Sequence, residues 1–92
     1  MSNDSESLET IMKFPCEFAI KTMGFANINF ASIAVEIVRR HADNISNDAV
    51  TTKLSKTGKY ISVSITITAQ SRQQMDAIYQ DLTACEHVLM SL

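Results

Sequence analysis

Cysteine, glycine and proline are all scarce in this 92-residue chain, at two, two and one, and no apolar run nears membrane length. Each scarcity closes off a class of function. Cys16 and Cys85 stand far apart, which excludes a CxxC redox motif and the usual zinc spacing. Both read as small buried hydrophobes that stay reduced, because a disulfide is unusual in a reducing cytoplasm. His41 and His87 show neither His-x-x-x-His nor Cys-His spacing, so no metal ligand is assigned and no cofactor is expected. With only Gly24 and Gly58 there is no phosphate-cradling loop, and no nucleophile–base pair or paired carboxylates can be found. The chain is therefore expected not to be an enzyme, and no catalytic residue is assigned.

A membrane span needs about 20 consecutive apolar residues, and none is expected here. The opening Met-Ser-Asn-Asp-Ser-Glu-Ser has neither the basic nor the apolar region of a secretory signal, which makes a cytoplasmic location the expectation. The formal charge is −2. Without Asp4, Glu6 and Glu9 the remainder carries eight basic groups against seven acidic ones, so attraction to nucleic acid is expected to be weak. Lys53, Lys56 and Lys59, and the Arg39-Arg40 pair, read as solvated turn and helix-end charges. The hydrophobic fraction of 46% and charged fraction of 20% are those of one globular domain,. Residues 1–10, polar and acidic, are expected to be a mobile tail, with 11–92 the folded domain.

Residues 59–69 carry the strongest pattern. Ile61, Val63, Ile65, Ile67 and Ala69 alternate with Tyr60, Ser62, Ser64, Thr66 and Thr68, which makes a strand with one face to bury and one polar face of good β-formers. Upstream, Cys16, Phe18 and Ile20 alternate with Glu17 and Lys21, predicting a first strand that starts at Pro15 and is ended by Gly24. From Asn29 the period lengthens: Phe30, Ile33, Ala34, Ile37, Val38 and His41 form a helical stripe, with Asn27 or Asn29 as cap. His41 reads as packing at the core edge. Val50, Thr52 and Leu54 predict a second strand, joined to the third by the turn Ser55-Lys-Thr-Gly58. Ser71 and Gln74 have capping-box spacing before the stripe Met75, Ile78, Tyr79 and Leu82. Residues 86–92 are apolar enough for a last strand.

The order β-α-β-β-α-β, with right-handed crossovers, predicts an α+β ferredoxin-like fold. Its four-stranded antiparallel sheet has the order 4-1-3-2 and carries both helices on one face.

Phe14-Pro, Lys21-Thr-Met-Gly, Val35-Glu-Ile-Val-Arg-Arg-His-Ala and Ser55-Lys-Thr-Gly-Lys-Tyr-Ile-Ser-Val-Ser-Ile-Thr-Ile resemble, in order and spacing, the YbeD family of small bacterial proteins of unknown function. The resemblance covers roughly residues 11–92. It implies a fold like that of the ACT-type regulatory domains, which sense amino acids or other small molecules, often between paired domains. Such domains often carry Pro-Gly where the first strand meets the first helix. Here Met23-Gly24-Phe25-Ala26-Asn27 keeps a glycine and an amide but no Pro-Gly. By that analogy Gly24, Ala26 and Asn27 are the ligand-binding positions. Taken as residues alone, Gly24 is a turn needing positive φ and Asn27 a helix cap.

Three function classes follow. A regulatory module would act through a small metabolite or a protein partner, with Tyr60, Ser62, Ser64, Thr66 and Thr68 as the interaction face and a homodimer allowed. The open edge at residues 50–54 is a further contact surface. An RNA-binding domain shares the topology but displays aromatics on its central strands, whereas Tyr60 stands alone among Ser and Thr. An interaction protein with no ligand is the third.

Overall fold

The computed structural model describes residues 13–92. The expected mobile tail, residues 1–10, lies outside them, as do residues 11 and 12 of the expected domain. Two ten-residue strands form the centre: β1 (Cys16–Phe25) and β3 (Tyr60–Ala69) run antiparallel, in register from Cys16 opposite Ala69 to Phe25 opposite Tyr60. A five-residue strand, β2 (Val50–Leu54), pairs with β3, and β4 (Met90–Ser91) pairs with β1 at Thr22 and Met23. The sheet order β2-β3-β1-β4 is the expected 4-1-3-2 read from the other edge.

The helices α1 (Phe30–Arg39) and α2 (Arg72–Ala84) cover one face. Their buried Phe30, Ala34, Ile37, Val38, Met75, Ile78 and Leu82 join Ile20, Val63, Ile65, Ile67 and Ala69 of the sheet in one core. All these sheet positions share one strand parity, as the alternation in β3 demands. Both caps are side-chain caps: Asn29 Oδ1 accepts from the Ser32 N–H at 3.4 Å, and Ser71 Oγ from the Gln74 N–H at 3.1 Å. The α1 cap is thus Asn29 and not Asn27. Gln74 reaches back to the Gln70 N–H at 2.6 Å, one residue before the cap.

Two boundaries differ from expectation. Gly24 does not end β1, because it pairs with Ile61 and the ladder runs on through Phe25. Residues 86–92 are not all strand. The chain leaving α2 first turns back, with the Val88 N–H on the Cys85 carbonyl at 3.1 Å, and only then joins the edge of β1. Cys16 and Cys85 are both free and half-buried.

Candidate functional site

The face opposite the helices is set by the same parity. From β3 it takes Tyr60, Ser62, Ser64, Thr66 and Thr68, the residues expected there, all exposed or half-buried. Their neighbours were not anticipated. The register sets Phe25 beside Tyr60 and Met23 beside Ser62, and Met23 faces Met90 on its other side. Met90 and Leu92 are 53% and 74% exposed. One half of the face is therefore apolar, while the half bearing Glu17, Thr66 and Thr68 is polar.

Tyr60 does not stand alone. Its ring stacks on that of Phe25, with centroids 5.6 Å apart and planes at 29°, and the Lys59 ammonium lies 5.5 Å from the Tyr60 ring centre. Such a cross-strand pair is favoured by the ring quadrupoles and by burial between strands. Each ring presents one face to the other.

Beside this pair the small side chains of Ser62 and Ser64 leave a trough of about 180 Å³. Lys21 and Met23, opposite Ser64 and Ser62, wall one side with Leu92 and Met90 behind them, and Thr51 and Lys53 wall the other. The apolar wall depends on β4, and β4 is short, so its attachments matter. Leu89 and Leu92 donate backbone N–H bonds to the Met23 and Lys21 carbonyls, both at 2.8 Å. The buried Thr22 hydroxyl donates to the Met90 carbonyl and lies beside Ser91 Oγ, each at 3.1 Å. From α2, the Tyr79 hydroxyl donates to the Leu92 carbonyl at 2.6 Å. Burial pushes the Tyr79 phenol above its ordinary pKa, keeping it in the donor form.

The loop positions assigned by analogy to ligand sensing are not brought together as a site. Gly24 is buried and has no positive φ; among the described residues Gly58, at φ 75°, is the glycine that does. A Cβ on Gly24 would lie 2.5–2.7 Å from three ring carbons of Phe30. The close approach that Gly24 permits is thus to the first core residue of α1, and with Gly24 paired inside β1 and lacking a positive φ the turn reading is corrected. The Ala26 N–H extends the β1–β3 ladder to the Lys59 carbonyl at 2.9 Å, and Asn27 is exposed.

His41, half-buried, does more than pack at the core edge. It lies just past α1, and its Nε2 is 2.7 Å from Asp81 Oδ2 on α2, with Arg40 Nη1 at 3.8 Å from the same oxygen. The Gln74 amide donates to the His41 carbonyl at 2.9 Å. These bonds tie the end of α1 to α2, a positioning role that no sequence spacing signalled because the partners are 40 residues apart. Among the described residues no cluster of three or more His, Cys, Asp or Glu side chains could hold a metal ion, and no helix is long and apolar enough to cross a membrane.

A family profile described as a protein of unknown function (DUF493) matches residues 9–92. A UPF0250 protein of Chromobacterium violaceum is 36% identical over 88 residues, covering 96% of this chain and 99% of its own length. Another UPF0250 protein, from Vesicomyosocius okutanii, is 41% identical over 80 residues, or 87% of each chain. Among solved structures, the solution structure of protein HP0495 from H. pylori is similar in fold. Its TM-score is 0.76 over 100% of this chain and 94% of that one, at 17% identity.

Proposed function

The chain belongs to the DUF493 family of proteins of unknown function, the UPF0250 or YbeD proteins, and from that premise we propose that it is a non-enzymatic regulatory module of the cytoplasm that binds a protein partner on its open sheet face. The supporting observation is the contiguous apolar half of that face, where Phe25, Met90 and Leu92 are exposed beside Tyr60 and Met23. Scattered surface apolar residues need no explanation, but five converging on one end of a sheet face have the character of a contact surface. The trough is smaller than the roughly 300–1,000 Å³ of a typical small-molecule pocket. At this place on the face, one inserted partner side chain therefore fits better than a metabolite held whole.

The test introduces charge on the face without touching the core. Ser64→Lys and Met23→Glu are expected to keep the circular dichroism spectrum and to change stability by no more than about 1 kcal/mol. Both should abolish recovery of any protein that wild type captures specifically from cell extract. The same proteins captured equally by wild type and both folded variants would remove the open face as the contact surface.

Self-association through β2 is a second reading, favoured by Leu54, which is 57% exposed at the sheet edge. The Ser55–Tyr60 backbone bond sets which residues face β3, and the alternation leaves the N–H and C=O groups of Val50, Thr52 and Leu54 pointing outward. An antiparallel second copy centred on Thr52 would set Val50 of each chain opposite Leu54 of the other and no lysine opposite a lysine. Thr52→Pro removes an outward N–H and leaves the β2–β3 ladder intact. On this reading, sedimentation shows a wild-type dimer and a monomeric, folded Thr52→Pro protein; a monomeric wild type rules it out.

A further inference from the structure

Resting on the open-face reading, we propose that the partner contributes an acidic segment with an apolar anchor side chain. The anchor would occupy the trough over Ser62 and Ser64, and its flanking carboxylates would meet Lys21 and Lys53. Three features carry this.

The first is size and lining. A trough of about 180 Å³ with a floor of two serines and an aliphatic wall of Met23, Met90 and Leu92 suits one inserted side chain, the kind of central anchor that dominates protein interfaces. Its methionines adapt to the shape of what enters.

The second is charge. Lys21 and Lys53 line the trough, and Lys59 lies over the adjoining Tyr60 ring. The acidic residue on the same face, Glu17, is opposite Thr68 at the far end of the β1–β3 ladder. The face is thus polarised, cationic where it is apolar, although the chain as a whole is net negative. A partner with carboxylates beside its anchor is complementary to this end, and a basic one is opposed by it.

The third distinguishes a peptide from RNA, which lysines and two aromatics on central strands would also suit. The Phe25 and Tyr60 rings each give one face to the other, and the Lys59 ammonium lies 5.5 Å from the Tyr60 ring centre, so fewer ring faces are free as base platforms. Neither ring lines the trough, whose floor is serine and whose wall is largely aliphatic.

Random peptides displayed on phage and panned against the full-length folded protein test this directly. Enriched clones are expected to carry a leucine, methionine or aromatic residue flanked by Asp or Glu. A synthetic copy of the consensus should shift the amide resonances of Lys21, Ser62, Ser64 and Leu92. Its affinity should fall by about tenfold or more in Lys21→Glu/Lys53→Glu, as expected when attraction becomes like-charge repulsion. A neutral or basic consensus that shifts the same amides would overturn the acidic partner and leave the open face as the binding surface. A consensus that maps elsewhere, or no enrichment at all, would overturn both. Stronger shifts of the trough amides by an oligouridylate than by the peptide would replace the acidic partner with RNA.

Discussion

Ile65→Ala is expected to lower the free energy of unfolding by about 2–5 kcal/mol, measured by urea denaturation with the slope unchanged. Ile65 is fully buried and stands mid-sheet, with Ile20 opposite it on β1 and Val50 opposite it on β2. Truncation removes apolar area from the one continuous core shared by both helices, and a site enclosed on two strands and the helix layer has little freedom to collapse. Its neighbour Ser64 points the other way, to the open face. Ser64→Ala is therefore expected to change stability by less than about 1 kcal/mol. Equal losses from the two substitutions would mean that the two faces of β3 have been interchanged.

Gly24→Ala is expected to destabilise the protein by about 1–3 kcal/mol, the usual range for overpacking a filled core. The sign is informative because glycine within a strand is ordinarily the poorer residue, so local preference by itself favours alanine. Here the added methyl carbon would fall within 2.7 Å of the Phe30 ring, and Phe30 is fully buried with no solvent side to retreat to. Phe30→Leu removes the obstructing ring edge and should itself be destabilising. In the Gly24→Ala background its cost should be smaller, since the two changes relieve one another. Additive losses in the four-way comparison by chemical denaturation would show that the Gly24–Phe30 contact is not the cause, and an unchanged Gly24→Ala midpoint would say the same of the close approach.

The alternation from Tyr60 to Ala69 identified the buried and open faces of β3 because side-chain direction in a strand has a period of two and needs no tertiary information. The stripe of Phe30, Ala34, Ile37 and Val38 identified the inner face of α1 on the same grounds, and Ser71 with Gln74 marked the start of α2 through a local hydrogen bond. Gly24 reads locally as a strand end, yet it lies paired inside β1. A glycine is compatible with a turn, a bulge or a close approach, and only the docking of α1 supplies the ring that selects among them.

The open face followed the same division. Its serines and threonines lie on one strand and were legible. Its apolar half was not, because Phe25 lay beyond the expected end of β1, and Met90 and Leu92 join it only through the register of a two-residue strand. Nothing in the alternation of residues 86–92 indicates which of them faces the sheet's open side. Thr22, Tyr79 and the backbone of Leu89 and Leu92 decide it, through bonds that span long stretches of chain.

Local periodicity, capping and turn chemistry were thus enough for the six elements, their order and the helix-covered face, since each depends on neighbours a few residues away. The lysine-flanked apolar trough, the Gly24–Phe30 contact and the His41–Asp81 tie are different in kind. Each joins residues from separate elements at a distance of a few ångströms, and that distance exists only after β4 has found the edge of β1 and the helices have settled on the sheet.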